Sequence, residues 1–211
     1  SCWHRQPAFG PCPMEGSLPA GVTPIDPDEA DGLIPEHVST RGELDELEEA
    51  NIQEGLKWGV QRALMGRKRA DVLSESFLYE LHKQMFGAVW TWAGKVRLTD
   101  KNIGVDKHIV RTEVRKLVDD AHYWRQENVY SHGELAVRVH HRLVSIHPFP
   151  DGNGRHARLL ADLIAQRSGL EPFSWGGASL TKTSDLRSAY IDALRSADKG
   201  DFGPLMAFAR S

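Results

Sequence analysis

The 211-residue chain carries 26 basic and 29 acidic residues, a formal net charge of −3, and 40% of its residues are hydrophobic. That length and composition support one domain with a sizeable core and room for an appendage, and the slightly acidic balance argues against a surface built for nucleic acid. No apolar run approaches the ~20 residues that cross a bilayer and no signal peptide is evident, so a cytoplasmic protein is expected.

In chain order, residues 1–38 read as an extended N-terminal arm. Residues 1–13 precede Met14, match no recognised pattern and are set aside as upstream or non-native sequence. They hold both cysteines, Cys2 and Cys12, which are expected as free thiols on a loose tail. Residues 14–38 are rich in Pro, Gly, Asp and Glu and offer little core of their own. The domain body spans 39–211.

Thr40 followed by Glu43 is a capping-box pattern, opening a helix that runs to about Gly66. Leu44, Leu47, Asn51, Glu54 and Trp58 follow steps of three and four and so share one face. Ser74 caps a second helix with Phe77, Leu78, Leu81 and Met85 on one side. Between residues 96 and 110, β-branched residues alternate with polar ones around Asp100-Lys101-Asn102 and Gly104, which predicts a short β-hairpin. Helices then cover about 112–127, 133–147, 153–168 and 184–197. The expected class is all-α with one small hairpin.

The chemistry concentrates in twelve residues, His147-Pro-Phe-Pro-Asp-Gly-Asn-Gly-Arg-His-Ala-Arg158. Leu135, Val139, Leu143 and Ile146 form a buried helix face that delivers His147, and Pro148 forces the chain out of helical geometry there. Leu159, Leu160, Leu163 and Ile164 mark a second helix that ends near Gly169 and begins close to Asn153. Gly152, Asn153 and Gly154 therefore feed a helix N-terminus, where open N–H groups and the macrodipole bind phosphate. Arg155 and Arg158, three residues apart, can hold different phosphates of one polyphosphate. Asp151 is a hard oxygen ligand suited to Mg²⁺, and His147 is a candidate general base for an incoming hydroxyl. Each residue alone also has a plain reading: a structural histidine, a turn aspartate, a solvated arginine face. The remaining histidines, His108, His122, His140, His141 and His156, include no HExxH or Cys/His ligand spacing, so zinc is not expected.

The twelve-residue string resembles the active-site motif of the Fic family, HPFx(D/E)GNGRxxR, at every defining position. Leu81-His82 through Phe86, and Trp90-Thr91-Trp92-Ala93-Gly94-Lys95-Val96-Arg97, resemble the helix and W-A-G-x-x-R turn that precede it, and Tyr190–Leu194 with Gly200-Asp201 and Leu205 resembles the closing helices. Thr23–Ala30 and Ser39–Leu44 are similar to the subgroup called mobile mystery protein B.

The resemblance implies a Fic-type helical bundle with a small β-hairpin flap, the flap aligning a target segment by strand addition. It also implies Mg²⁺-dependent transfer of AMP from ATP to a Ser, Thr or Tyr hydroxyl of a target protein. By that correspondence His147 is the base, Asp151 the metal ligand, Gly152, Asn153 and Gly154 the anion hole, and Arg155 and Arg158 the phosphate clamps. Tyr190 is a candidate adenine contact, with a core tyrosine as the plainer role. Transfer of another nucleotide or phospho group, a catalytically quiet nucleotide-binding interaction module, and a metal-dependent nuclease are the alternatives. The paired arginines and phosphate loop disfavour the nuclease.

Many family members carry an inhibitory (S/T)xxxE(G/N) motif whose glutamate pairs with the second motif arginine, here Arg158. Glu54-Gly55 resembles its end, although Ala50 stands in the Ser/Thr position. Ser39 and Glu43 have the required spacing, but Leu44 follows and capping accounts for Glu43. Glu54 is therefore the expected restraint on Arg158 and Glu43 the second candidate, with inhibition by a separate antitoxin-like partner as the alternative.

Overall fold

In a computed structural model the described residues are 31–177 and 183–211. The cysteines and most of the arm, which reaches residue 38, lie outside them. The elements are α1 (Arg41–Leu64), α2 (Glu75–Phe86), α3 (Val110–Gln126), α4 (His132–Ile146), α5 (Asn153–Arg167), α6 (Thr183–Asp198) and α7 (Gly203–Ala209). The capping chemistry explains several starts. Thr40 and Glu43 form the complete reciprocal box before α1, the Ser74 hydroxyl accepts from Phe77 N–H, and the Ser131 hydroxyl accepts from Glu134 N–H.

Helices α4 and α5 form the centre, with α1 and α2 packed together against α5, α3 against α4, and α6 paired with α7. Phe77, Leu78, Leu81 and Met85 of α2, Leu135, Val139, Leu143 and Ile146 of α4, and Leu159, Leu160, Leu163 and Ile164 of α5 are all buried, so the periodicity identified these faces correctly. No helix among the described residues is long and apolar enough to cross a membrane.

The face of α1 is corrected in part: Leu44 is buried, Leu47 and Trp58 pack against the core and Asn51 bonds Gln84 O and Ala88 N–H, but Glu54 does not share their burial. Its buried residues are Leu44, Glu48, Gly55, Gly59 and Ala63, while Glu54 is exposed. A Cβ on Gly55 would lie 2.6–2.9 Å from Met85, and one on Gly59 would lie 2.9 Å from Leu163. Small residues thus let α1 approach α2 and α5 closely, and that contact surface has no hydrophobic signature in sequence.

The hairpin expected at 96–110 is the second correction. No strand forms there; the segment is irregular up to the start of α3. Its polar backbone is satisfied by a side chain instead. Arg97 is 2% exposed, and its guanidinium donates to the carbonyls of His147 (2.7 Å), Thr99 (2.8 Å) and Val105. Arg97 N–H reaches Pro148 O at 2.9 Å, and Val105 N–H reaches Ile146 O at 3.3 Å. A buried fork with several donors does for this loop what a paired strand would do.

Burial also sets the response to acid. His140 and His156 are fully buried, which pushes their pKa values down to about 3 and about 4. The unfolded chain takes up these protons near pH 6.5 while the folded state does not, so their stabilisation is present above pH 6.5 and lost as pH falls towards 4. Asp162 acts oppositely. Burial raises it to about 6 even though Trp175 Nε1–H and Phe173 N–H donate to it, so folding gains a proton between pH 6 and 3.8. For these three groups the unfolded state binds about one more proton below pH 6, a slope of about 1.4 kcal/mol per pH unit, and the lowered pKa values of His82 and His147 act in the same direction. Melting followed by circular dichroism should show Tm falling from pH 6.5 to 4.5; a flat or rising Tm would contradict this balance.

Candidate active site

His147 closes α4 in the left-handed region, φ 55°, with its N–H on Leu143 O at 3.0 Å. For a non-glycine residue that backbone costs roughly 1–2 kcal/mol. Arg97 holds it there through the carbonyls of His147 and Pro148, so the strain sits at the residue expected to do chemistry. Partial burial, with Arg97 and Lys101 nearby, lowers the His147 pKa, against the opposing pull of the Val144 carbonyl and Asp151. The imidazole is therefore neutral at pH 7, the form a base requires.

The turn after it is closed by Asn153, whose side chain accepts from Phe149 N–H and donates to Phe149 O, both at 2.9 Å. Asn153 is 3% exposed, so its side chain shapes the turn and only its backbone can face a ligand. Gly152 has φ 73°, and a Cβ there would meet the Phe86 ring at 2.5 Å. Only glycine fits. Gly152 is also the N-cap of α5 and supplies no side-chain cap, so the first-turn N–H groups are left for an acceptor from outside the helix.

Around that helix start, the Asp151 carboxylate is 69% exposed and lies 4.0 Å from Arg155 Nη2. The Arg155 guanidinium sits over Phe86 at 4.9 Å, and its Nη1 donates to Glu48 Oε2 at 2.6 Å. Arg158 stands 5.7 Å from the ring centre of Tyr190. A cleft of about 870 Å³ runs between α1, the Trp90–Trp92 turn and residues 95–101, and meets the motif at Pro150, Asp151 and Arg155. The expected residues from His147 to Arg158 therefore surround one turn and one helix start.

Residues 72–165, which contain α2 to α4, most of α5 and the whole motif, match the Fic/DOC family. This stretch is a Fic domain.

Protein adenylyltransferase fic-1 of Caenorhabditis elegans is 32% identical over 148 residues, covering 67% of this chain and 27% of its own length. Protein adenylyltransferase Fic of Nematostella vectensis is 29% identical over 171 residues, 78% of this chain and 37% of the relative. The chain thus spans well under half the length of these curated relatives. Among solved structures, Fic-1 (residues 134–508) of C. elegans superposes with a TM-score of 0.61 at 27% identity, covering 86% of this chain and 51% of that one. The BepC protein of Bartonella tribocorum with bound AMPPNP shares the fold, with a TM-score of 0.60 at 17% identity over 85% of this chain and 94% of its own.

Three expected site residues of the Fic domain and its flanks have other surroundings. Glu54 is 67% exposed at its side chain and pairs with Lys57 at 2.6 Å, because the glycine-lined face of α1 turns it outward and away from Arg158. Glu43 spends its carboxylate on the Ser39 and Thr40 N–H groups at 3.1 and 3.2 Å, which lower its pKa. Tyr190 bonds His140 Nε2 through its hydroxyl at 3.0 Å and packs on Phe208 and beneath Arg158, an arrangement of the core-tyrosine kind.

On α1, the carboxylate that meets a motif arginine is Glu48. It is 7% exposed, and its other oxygen accepts from Trp90 Nε1 at 2.7 Å. Sequence reasoning missed it because the chosen face of α1 followed its larger side chains. Glu48 lies one turn after Leu44, on the side that continues through Gly55 and Gly59.

Proposed function

We propose that the chain is a protein adenylyltransferase that moves AMP from ATP to a Ser, Thr or Tyr hydroxyl of a target protein. The observation that carries the reading is His147, held in a left-handed turn beside a helix start with no side-chain cap, flanked by Arg155 and Arg158. The names of the curated relatives support it, and the nucleotide in BepC is consistent with such a fold accepting one.

In the reaction, His147 takes the proton of the target hydroxyl and the oxygen attacks the α-phosphorus. The new O–P bond forms as the α–β bridging bond breaks, and pyrophosphate leaves. Backbone N–H groups of Gly152, Asn153 and Gly154 and the guanidiniums of Arg155 and Arg158 stabilise the growing phosphate charge. Tyr190 supports Arg158 from below, and the adenine contact first expected of it is kept only for its ring. Mg²⁺ fits the donor set: Asp151 is one exposed carboxylate at the cleft, and this ion is commonly held by one or two carboxylates plus substrate phosphates. When bound it supplies charge neutralisation at the phosphates.

The domain extends on this reading from 39 to 211, with α1 as an attached regulatory helix. We propose the mobile mystery protein B subgroup on the likeness of Thr23–Ala30 and Ser39–Leu44 to it, and the cytoplasm as the compartment that supplies ATP. The restraint first expected at Glu54 is assigned instead to Glu48, which occupies Arg155. A charge-assisted bond of this kind is worth about 1.5–3 kcal/mol, so Glu48→Ala should raise ATP affinity and self-modification roughly tenfold while Glu54→Gly changes neither. ATP titration and label incorporation by the two variants check this; a rise with Glu54→Gly alone would return the restraint to Glu54.

The function itself is tested by mass spectrometry of a lysate treated with protein, ATP and Mg²⁺. AMP adducts on Ser, Thr or Tyr that vanish with His147→Ala support transfer. Adducts of another composition would overturn it.

A further inference from the structure

Helix α2 carries a buried histidine that the mechanism above leaves unused. His82 is 0% exposed and joins two segments far apart in sequence. Gly94 N–H, in the W-A-G turn, donates to His82 Nδ1 at 2.9 Å. Nδ1 is therefore the unprotonated nitrogen, and the neutral ring carries its proton on Nε2, which donates to the Asp151 carbonyl at 3.0 Å. The ring is stacked on Phe149 with centroids 3.6 Å apart and flanked by Phe86 at 4.8 Å, so its orientation is fixed by packing as well.

The consequence lies in the peptide that follows. No cis bond occurs among the described residues, so the C=O of Asp151 and the N–H of Gly152 point in opposite directions. Fastening that carbonyl to His82 turns the Gly152 N–H away from α2. Phe86 fills the α2 side of Gly152, at 2.5 Å from where a Cβ would stand, and blocks the peptide from swinging back.

We propose that His82 is a positioning residue that aims the Gly152 N–H at the nucleotide phosphate, completing the anion cradle at the head of α5. The inference rests on the AMP-transfer reading. It differs from a purely structural role, in which His82 merely ties down the W-A-G turn through Gly94.

Two substitutions separate the bonds. His82→Gln sets an amide nitrogen near the place of Nε2 and keeps the donor to Asp151; His82→Asn sets an oxygen near the place of Nδ1 and keeps only the acceptor for Gly94. Removing one oxyanion donor lowers kcat by on the order of 10²–10³, which bounds the effect of misaiming one. His82→Asn should lower kcat for incorporation of α-labelled ATP by roughly 10- to 100-fold with a smaller change in KM, and His82→Gln should stay within a few-fold of wild type. Wild-type kcat in folded His82→Asn, or equal losses in both variants, would overturn the proposal. If His82→Asn does not fold, His82→Gln decides: retained kcat supports the proposal, and loss of transfer in a folded protein overturns it. If the wild type itself incorporates no label, the transfer reading fails on its own. Calorimetric ATP binding then decides the positioning claim, weaker in Asn than in Gln supporting it and equal in both overturning it.

Discussion

His147→Ala is expected to lower AMP transfer by a factor on the order of 10²–10⁴, the range a positioned general base supplies, while ATP binding stays within a few-fold of wild type. The separation follows from what His147 touches. Its backbone is bound to Arg97 and Leu143, and its imidazole is kept neutral by burial, whereas the groups suited to phosphate belong to the next helix. Removing the ring leaves the uncapped start of α5, Arg155 and Arg158 in place. Single-turnover transfer and calorimetric ATP titration on the variant check both halves. Transfer at the wild-type rate would remove His147 from the chemistry, and loss of ATP binding alongside transfer would make its role structural.

Arg97→Met should cost about 3–5 kcal/mol of stability and transfer activity together. The side chain is 1% exposed, and Asp100, at 3.7 Å, is the exposed partner of an otherwise buried charge. Methionine keeps the apolar stem but leaves the carbonyls of His147, Thr99 and Val105 without their donors. Each buried acceptor left unsatisfied costs about 1–3 kcal/mol, moderated where the 98–105 loop lets water in. For a protein of this size that is a fall of roughly 10–15 °C in Tm. Arg97→Lys should rescue little, because a single ammonium cannot reproduce the planar fork. Without Arg97, the left-handed backbone of His147 loses its anchor, so transfer falls even below the melting temperature. A variant that melts within a degree or two of wild type with full transfer would contradict the role given to this arginine.

Much of the molecule was legible because its signals are local. Thr40 with Glu43, and Ser74, mark helix starts through bonds made within four residues. The four-residue steps of Leu135, Val139 and Leu143 fix a face without knowledge of its partner. The motif is contiguous, so its turn, helix start and arginines arrive together. What stayed hidden depends on partners far along the chain. Arg97 replaces a strand partner for residues 98–105 by reaching His147, and β-branched alternation cannot distinguish that from a hairpin. Glu48 meets Arg155 across 107 residues, on a helix face defined by Gly55 and Gly59 rather than by large apolar groups. His82 reads as one more buried α2 residue until Gly94 and Asp151 are seen on its two nitrogens.

The central claim, transfer of the α-phosphoryl group with its nucleoside to protein, is tested most directly by parallel incubations with α-labelled and γ-labelled ATP. The account predicts covalent label on protein from the α-position alone, absent with His147→Ala. Label from the γ-position, or none from either, would contradict it.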